Sequence, residues 1–565
     1  MELMESSCEH QGNQYMISLP WKKDKALLPN NRVVAENRLR SLEKNLLKNN
    51  EKVQMYDAAI MQYEEKGWAR RLTDAELEAD IKPVYYLPHH GVYRPDKKST
   101  PLRVVFDPAC QYQGVSLNSF LYKGPGLIGN LLGVLIRFRK EEVAFVGDIS
   151  KMFLQICIPE SDTHVHRFLW RNLDTTKEPT VFAMQRVSFD DKPSPDMASF
   201  VMLRMADEHE QDCPHAATVL RRDRYMDDLI HSCPSAEVAA QSIKELDEVL
   251  ATGSFKIKEW ICSSEDLRNQ LSIATESASE TPKTSVVNLD GEEEGTKTLG
   301  VGWNPQTDML SFASKEIKLE RLTKRSILSS ISKLYDPLGL ASAVTIKARI
   351  ALQDIWRSKQ FDWDDILPDD TSSTWKKLFD EIESLKSVQI PRCVRPSDVS
   401  GPSELHVFAD ASGAAFGAVA YLLWPTSQGP EVRLVSAKAK VAPLRQSTIP
   451  RLELMAALIA SRLAQTIYTE FKIKPATVTL WSDSTIVLHW LWSETAILKP
   501  FVGVRVAEIQ STWAPSCWKH VPTEQNVADD LSRGISVREL SESEGRWLNG
   551  PSFLKKPKTE NLCGK

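Results

Sequence analysis

The feature that most constrains the fold of this chain is a pair of adjacent carboxylates, Asp227 and Asp228, inside a short apolar stretch. A tyrosine and a methionine precede the pair, and a leucine and an isoleucine follow it, a pattern that predicts a tight β-hairpin. Two neighbouring anions in apolar surroundings destabilise each other, and a divalent cation removes that cost. The pair therefore indicates a metal site, with a polar hairpin turn as the alternative because Asp is common in turns.

A third carboxylate, Asp148, lies in an apolar run that begins at Val143 and continues through Phe153. The run predicts a buried strand, in which an Asp requires either a hydrogen-bond donor or a metal. Together with Asp227 and Asp228 it makes three oxygen ligands of the kind that hard cations prefer. Such a set is suited to two Mg²⁺ ions about 3.5–4 Å apart, the arrangement of polymerases and nucleases.

A second set of acids follows in the C-terminal part: Asp410, Glu453, Asp483 and Asp529. The hydrophobic pattern around them predicts the element order β-β-β-α-β-α, with the acids at strand ends and in first turns of helices. Each acid also has a structural alternative. Asp410 and Asp483 are suited to turns at strand ends, and Glu453 to the positive end of a helix dipole. Asp529 follows Asn526 by three residues, as in a capping box.

The composition narrows the class of protein. A chain of 565 residues is too long for a single core, so we expect several domains. Its nine cysteines form no C-x-x-C pair, which favours reduced thiols over a disulfide framework or a zinc site. The sequence contains no signal peptide and no apolar run of roughly 18 residues, so we expect no membrane contact. Because the net charge is -5, any nucleic acid must be bound by local basic patches.

Several phrases, in a fixed order, extend these observations to a family resemblance. They are Tyr-Leu-Pro-His-His at 86–90, Leu-Arg-Val-Val-Phe-Asp at 102–107, Asp-Ile-Ser-Lys-Met-Phe at 148–153, Phe-Leu-Trp-Arg at 168–171, Tyr-Met-Asp-Asp at 225–228 and Thr-Leu-Gly-Val-Gly-Trp at 298–303. With them, the stretch from Tyr85 to about Trp303 resembles the reverse transcriptase of LTR retrotransposons, most closely the BEL/Pao group. The second set of acids, within residues 404–533, resembles the Asp-Glu-Asp-Asp site of ribonuclease H.

The resemblance implies an α/β (α+β) architecture, in which a right-hand polymerase of palm, fingers and thumb precedes a connection region and a ribonuclease H-like domain. The expected domains are an N-terminal helical extension of the fingers (1–84), fingers and palm (85–305), thumb, connection and linker (306–400), ribonuclease H (401–545) and a basic tail (546–565). The Pro- and Gly-rich residues 391–403 predict the linker, and the polar, acidic residues 263–297 predict a flexible loop.

The same resemblance implies roles for individual residues. The expected metal ligands, which include all seven catalytic acids, are Asp148, Ile149, Asp227 and Asp228 in the polymerase site and Asp410, Glu453, Asp483 and Asp529 in the ribonuclease site. Two Mg²⁺ ions are expected per site, with Mn²⁺ as the alternative. The residues expected to contact substrate are Lys97, Arg103, Phe153, Phe189, Ser194, Pro195, Tyr225 and Met226. Among them, Arg103 matches the residue that holds the triphosphate, and Phe153 the one that excludes a ribose 2′-hydroxyl. Asp530 lies beside the matching position and is not an expected ligand.

One position departs from the family pattern, because Phe189-Asp190 replaces the usual Phe-Gly. The added carboxylate either repels phosphate or requires a different backbone angle. The alternative is that Asp190 turns outward, toward Lys192 or water.

These features predict an RNA-directed DNA polymerase with ribonuclease H activity, corresponding to part of a longer LTR retrotransposon polyprotein. The alternatives are a domesticated or decayed protein that binds nucleic acid without polymerase activity, and a nuclease only. The expected partners are an RNA template, a DNA primer, an RNA/DNA hybrid and deoxynucleoside triphosphates, and the oligomeric state is left open. The expected location is the cytoplasm, in a virus-like particle if the element is complete, with the nucleus as the alternative.

Overall fold

The computed structural model describes residues 1–94, 101–275, 287–288, 301–312, 321–445, 447–472, 478–542 and 544–556. Its helices are α1 (Glu2–Ser7), α2 (Arg32–Leu46), α3 (Asn50–Glu65), α4 (Asp74–Glu78), α5 (Leu117–Phe120), α6 (Leu131–Phe138), α7 (Glu160–Thr163), α8 (Ser194–Glu208), α9 (Pro214–Arg222), α10 (Ala236–Thr252), α11 (Glu265–Thr275), α12 (Lys324–Lys333), α13 (Ser342–Ser358), α14 (Asp369–Ser384), α15 (Ile449–Phe471), α16 (Thr485–Trp492), α17 (Pro500–Thr512), α18 (Asp529–Arg533), α19 (Val537–Ser541) and α20 (Arg546–Asn549).

Its strands are β1 (Glu9–Gln11), β2 (Gln14–Met16), β3 (Ala69–Arg71), β4 (His89–Tyr93), β5 (Leu102–Phe106), β6 (Val143–Ile149), β7 (Arg167–Trp170), β8 (Thr180–Met184), β9 (Arg224–Tyr225), β10 (Asp228–Cys233), β11 (Ile257–Cys262), β12 (Val287–Asn288), β13 (Val301–Asn304), β14 (Met309–Phe312), β15 (Gln389–Pro391), β16 (Glu404–Ala411), β17 (Ala415–Thr426), β18 (Gly429–Val441), β19 (Val478–Ser482) and β20 (Trp518–His520). They form sheets with the orders β1-β2, β3-β8-β7, β4-β5, β11-β6-β10-β9, β12-β13-β14-β15 and β18-β17-β16-β19-β20.

The sheet β11-β6-β10-β9 carries the first set of acids. Its central strand β6 is an apolar run whose middle residues are buried, and β10 and β11 pair with it in antiparallel fashion. Gly147 is required in this strand because a Cβ there would lie 2.5 Å from the ring of Trp260 on β11. Strands β9 and β10 form the predicted hairpin, and Met226 in its turn has a left-handed φ of 56°.

The sheet β18-β17-β16-β19-β20 carries the second set. Its first three strands are antiparallel neighbours, whereas β19 and β20 run parallel to β16. Helix α15 packs across β16 and β17 with an apolar face that includes Leu452, Ala456 and Leu463. It ends at Lys472, which has a left-handed φ of 55°. The element order predicted from the hydrophobic pattern is confirmed, because three strands, a helix, a strand and a helix follow one another.

The protein has two large apolar cores. The N-terminal core consists of buried residues between Met4 and Leu267, and the C-terminal core consists of residues of α6, β6 and β10 packed with the C-terminal sheet. Two fully buried arginines connect segments of the C-terminal core by hydrogen bonds. Arg139 donates to the backbone oxygens of Val435 at 2.5 Å and Arg392 at 3.1 Å, and Arg392 donates to the oxygen of Phe138 at 2.5 Å.

Three expectations about connecting segments are corrected. The predicted linker 391–403 contains the buried residues Arg392 and Val394, so its first part belongs to a core. The predicted loop 263–297 contains helix α11, and most of its remaining residues lie outside the described ranges. The predicted tail 546–565 begins as folded structure, because Trp547 and Phe553 are buried against the C-terminal sheet. None of the described helices has the length and apolar composition needed to cross a membrane.

Candidate active sites

The first site is built by two adjacent antiparallel strands. Asp148, the second-last residue of β6, is the direct cross-strand partner of Asp228, the first residue of β10. Asp227 lies in the turn before β10, and its backbone oxygen accepts a hydrogen bond of 2.9 Å from the N–H of Ile149. Asp228 is only 9% exposed. Like charges directly opposite each other in a sheet repel, and a divalent cation bound between the two carboxylates would remove that repulsion.

Burial and two arginines have opposite effects on the pKa of Asp227. Burial raises the pKa of its carboxyl, while the positive charges of Arg103 and Arg224 lower it. Arg224 is itself buried and donates to the backbone oxygen of Met226 at 2.9 Å, which fixes the turn. Burial lowers the pKa of Arg224 to about 10, against the effect of Asp227. The turn therefore holds a desolvated carboxylate within electrostatic reach of the predicted triphosphate-binding arginine.

The chemistry of this donor set fits a hard divalent cation, because it consists of carboxylate oxygens on a rigid sheet. A different cluster is more compact. Within the described part of the chain, only Glu76, Glu160 and His164 bring three ligand atoms to within 4.8 Å of one another. There Arg70 already forms ion pairs of 2.6 Å with Glu76 and 2.5 Å with Glu160, so a guanidinium takes the place of a metal.

The predicted substrate residues lie on several elements. Arg103 is on β5, Tyr225 ends β9, and Met226 is in the hairpin turn. Phe153 is half-buried in the short 3₁₀ turn after β6 and packs against the N-terminal core. Phe189 is 37% exposed.

The predicted template residues begin helix α8. Ser194 is its first residue and is fully buried, with its hydroxyl donating to the backbone oxygen of Ser188. Pro195 lies in the first turn, where a missing N–H costs nothing. Lys97 lies outside the described residues.

The second site collects its acids from four elements. Asp410 is on β16, Glu453 is in α15, Asp483 directly follows β19, and Asp529 is the first residue of α18. Strands β16 and β19 are parallel, with Ala409 paired to Ser482, so Asp410 and Asp483 come next at the same edge of the sheet.

The four carboxylates influence one another. Burial raises the pKa of Asp410 to about 6, with further increases from Asp483 and Asp529 and a decrease from the hydroxyl of Ser532. Burial also raises the pKa of Glu453, and Asp483 adds to that increase. A cation bound among these oxygens would reverse both shifts. The set is therefore gathered in space, and its donor atoms fit the same class of metal as the first site.

Two serine hydroxyls donate hydrogen bonds to these acids, and the sequence pattern did not identify either serine. Ser532 donates to the Oδ2 of Asp410 at 2.5 Å, and Ser484 donates to the Oε2 of Glu453. Each serine lies within three residues of one of the other acids, Asp529 or Asp483. That proximity in sequence is the only signal by which the serines might have been selected.

The alternative proposed for Asp529 is not what the structure contains. Helix α18 begins with Ala528 as its N-cap, and the Asn526 side chain instead donates to the backbone oxygen of Ala409 at 3.0 Å. Asp529 accepts from the Nε of Arg533 at 2.5 Å. Asp530 is buried and forms an ion pair of 2.5 Å with Arg546, so a guanidinium of the chain already neutralises its charge.

A mixed five-stranded sheet with a helix across it and acids at one edge defines a ribonuclease H-like fold. Residues 323–484, less than a third of the chain, match the family of the Pao retrotransposon-like RNaseH-like domain. That stretch includes Asp410, Glu453 and Asp483. The resemblance to a Pao/BEL-type reverse transcriptase and ribonuclease H polyprotein is thereby confirmed. No curated protein matches the sequence.

The solved structures that are similar to the chain include two of foamy viral proteins. The foamy viral protease-reverse transcriptase in complex with RNA/DNA hybrid has a TM-score of 0.51 at 12% identity, over 86% of this chain and 55% of that one. The foamy viral protease-reverse transcriptase dRH in complex with ds DNA has a TM-score of 0.49 at 13% identity, over 82% and 69%. The chain thus spans about half the length of the first protein, and shares with it a mixed α/β fold.

Proposed function

We propose that this chain is an RNA-directed DNA polymerase with ribonuclease H activity, from an LTR retrotransposon. The observation that carries the proposal is the presence of two separate sets of buried and half-buried carboxylates, each on the edge or hairpin of its own sheet. In this proposal residues 85–305 form fingers and palm, 306–400 thumb and connection, and 401–545 the ribonuclease H domain. Residues 1–84 extend the fingers.

In the polymerase site, Asp148, Asp227, Asp228 and the backbone oxygen of Ile149 would hold Mg²⁺. When bound, Mg²⁺ activates the primer 3′-hydroxyl and neutralises the charge that develops on the phosphates. The hairpin keeps the acids in register, since Ile149 donates to the oxygen of Asp227. Arg103 binds the triphosphate with its guanidinium fork, a geometry that suits phosphate oxygens.

The remaining substrate contacts select the sugar and hold the template. Phe153 fills the space that a ribose 2′-hydroxyl would need, which favours deoxynucleotides. Pro195, at the start of α8, contacts the template strand together with Phe189. Contrary to expectation, the fully buried Ser194 instead holds the start of the helix by donating to the backbone oxygen of Ser188. Tyr225 and Met226 contact the primer end from the hairpin.

In the ribonuclease site, Asp410, Glu453, Asp483 and Asp529 would hold the metal on which hybrid cleavage depends. Ser532 and Ser484 orient two of these carboxylates by donating hydrogen bonds to them. Such support fixes which oxygen faces the substrate. Contacts to 2′-hydroxyls would select the RNA strand of the hybrid, because that group distinguishes RNA from DNA.

Nucleic acids are the proposed partners of both sites. Similarity to a protein solved with an RNA/DNA hybrid supports this proposal. A net charge of -5 requires that contact be made through local basic groups, so binding should weaken as salt rises.

A paired assay tests the function. The purified chain is given an RNA template with a DNA primer, and separately a labelled RNA/DNA hybrid, with Mg²⁺ or with EDTA. We expect primer extension and RNA cleavage with Mg²⁺ and neither with EDTA. RNA cleavage without primer extension would mean that the protein is only a nuclease. Binding of nucleic acid without either reaction would mean that it is a nucleic-acid-binding protein without enzymatic activity.

A further inference from the structure

Helix α6 packs against both β10 of the first site and α15 of the C-terminal sheet. Just before α6 the chain is so close to the hairpin of β9 and β10 that a Cβ at Gly129 would lie 2.6 Å from the backbone oxygen of Arg224. Within α6, a Cβ at Gly133 would lie 2.7 Å from the Oε1 of Glu470, in the last turn of α15. Glycine at these two positions therefore permits the close approach of both elements.

Arg137, on α6, connects two carboxylates. Its guanidinium donates to the Oδ1 of Asp223, to the Oε2 of Glu470 and to the backbone oxygen of Arg222. These side chains are largely withdrawn from water, with exposed fractions of 14% for Arg137, 5% for Asp223 and 16% for Glu470. Arg222 adds a second cation, 3.5 Å from the same oxygen of Glu470. The C-terminal sheet and the hairpin sheet thus share one guanidinium.

Asp223 closes the base of the hairpin. Its backbone oxygen accepts a hydrogen bond of 2.8 Å from the N–H of Ile230. The Oδ2 of its side chain lies 2.6 Å from the Nδ1 of His231 on β10, so the same carboxylate is attached to α6 and to the second strand of the hairpin. Asp227 and Asp228 lie between these anchored positions. The position of Asp223 therefore limits how far the metal-binding turn can move.

The location of Glu470 is unfavourable for its own helix. The last turn of α15 is the negative end of the helix dipole, where an acidic side chain is destabilising. Partial removal of a carboxylate from water adds to that cost. The pairs with Arg137 and Arg222 offset both effects. We therefore ascribe an acid at this position to its contact with the hairpin sheet and not to α15.

We propose that Glu470, in the ribonuclease H-like domain, is a positioning residue of the polymerase site and acts through Arg137 and Asp223. Its effect on DNA synthesis rests on the proposed polymerase function. With Glu470 in place, the guanidinium is fixed and holds Asp223 at the base of the hairpin. Without it, the guanidinium and the turn become more mobile, so the hairpin carboxylates bind Mg²⁺ less tightly. Glu453 is about 25 Å away along α15, so the acids of the ribonuclease site are not disturbed.

The test compares Glu470→Gln, which keeps the shape and removes the charge, with the parent chain. We expect kcat for DNA synthesis to fall about fivefold to twentyfold, and the Mg²⁺ concentration for half-maximal rate to rise about threefold to tenfold. Hybrid cleavage should stay within about twofold of the parent rate. In EDTA, amide hydrogen exchange of peptides covering residues 143–153 and 223–233 should be about threefold to tenfold faster, because the hairpin opens locally more often.

Glu508→Gln is the matched control, because it removes a carboxylate that pairs with Arg462 at 2.6 Å between α17 and α15, without contact to the hairpin sheet through that pair. DNA synthesis, its Mg²⁺ requirement and the hairpin exchange should be unchanged in this variant. A double-mutant cycle identifies the route of the effect. If Glu470 acts through Arg137, Glu470→Gln should cause no further loss of DNA synthesis in an Arg137→Gln chain.

Unchanged hairpin exchange in Glu470→Gln would overturn the inference, and so would an equal loss of both reactions or a loss that persists in full in the Arg137→Gln chain. Slower DNA synthesis with the parent's Mg²⁺ requirement would also overturn it, since a smaller folded fraction has that effect. Absence of primer extension by the parent chain would refute the polymerase function. The exchange measurement would then still decide whether Glu470 positions the hairpin.

Discussion

The two carboxylate sites both hold acidic side chains partly away from water, and different neighbours stabilise the ionised groups in each. In the hairpin site the half-buried Asp227 lies within electrostatic reach of Arg103 and Arg224, so positive charges of the chain partly offset its charge. In the C-terminal site, Asp410 and Glu453 accept hydrogen bonds from the hydroxyls of Ser532 and Ser484, while the guanidinium of Arg533 pairs with Asp529 rather than with either of them. Burial outweighs the hydroxyl of Ser532 and the more distant charge of Arg533, and it leaves the pKa of Asp410 raised to about 6. The second site should therefore be the more sensitive to acid and to metal removal.

Among substitutions outside the two sets of metal-binding carboxylates, Arg103→Gln is expected to have the largest effect on the difference between the sites. Loss of the guanidinium removes the charge-assisted contact to the triphosphate, so we expect kcat/KM for DNA synthesis to fall about 100- to 1000-fold. Hybrid cleavage should be unchanged, since Arg103 is on β5, in the N-terminal core. Steady-state primer extension measures the loss. Arg40→Gln, an exposed arginine of α2, is the control, and an equal loss in that variant would contradict the assigned role.

The next effect concerns sugar selection in the hairpin site. Phe153→Ala should raise ribonucleotide incorporation relative to deoxynucleotide about 10- to 100-fold by opening the space beside the sugar. Competition between the two nucleotides in primer extension gives the ratio. Phe153 also packs against the N-terminal core, so Leu154→Ala, a half-buried neighbour, controls for loss of packing. The same ratio in parent and Phe153→Ala chains would reduce the residue to core packing.

A smaller effect is expected at the hydroxyl that supports Asp410. Ser532→Ala removes a donor to the ionised carboxylate, which raises the pKa of Asp410 further and lowers cleavage about tenfold near pH 6.5. The acidic limb of the pH profile should move upward, whereas DNA synthesis should not change. Ser511→Ala, at the exposed end of α17, is the control. A profile that stays in place would show that Ser532 does not tune Asp410.

The smallest effect is on stability. The folded-state pKa of Asp410 lies above its ordinary value of 3.8, so the folded chain binds the proton more tightly and is destabilised as pH rises through about 4 to 6. Asp410→Asn in EDTA should then raise the free energy of unfolding by on the order of 1–3 kcal/mol at pH 7 and by little at pH 4. Urea unfolding at both pH values measures it, with the exposed Asp354→Asn as control. Equal gains at the two pH values would contradict the charge argument.

The sequence revealed what is local. The Asp227–Asp228 pair, its hairpin and the strand with Asp148 depend on residues close in the chain, and periodicity was sufficient to predict them. The element order around Asp410 was likewise readable from alternating and helical patterns.

Contacts between residues that are distant in sequence could not be predicted. Pro and Gly near residue 391 indicated a linker, but Arg392 donates hydrogen bonds to the backbone oxygens of Phe138 and Glu141, at and just after the end of α6. The basic composition after residue 546 indicated a tail, although Trp547 and Phe553 in this segment are buried in the C-terminal core. Asp190 has a buried Oδ2, and its backbone oxygen accepts a hydrogen bond from the side chain of Asn118, which is distant in sequence; no local pattern identifies that contact.

The central claim is that one chain carries two independent, metal-dependent sites, and a reciprocal pair of variants tests it most directly. Asp227→Asn and Asp483→Asn are each assayed for primer extension and for hybrid cleavage in Mg²⁺. The account predicts that Asp227→Asn loses DNA synthesis by at least about 1000-fold and keeps cleavage within about twofold, and that Asp483→Asn does the reverse. Retained DNA synthesis in Asp227→Asn, or loss of both reactions in either folded variant, would contradict it.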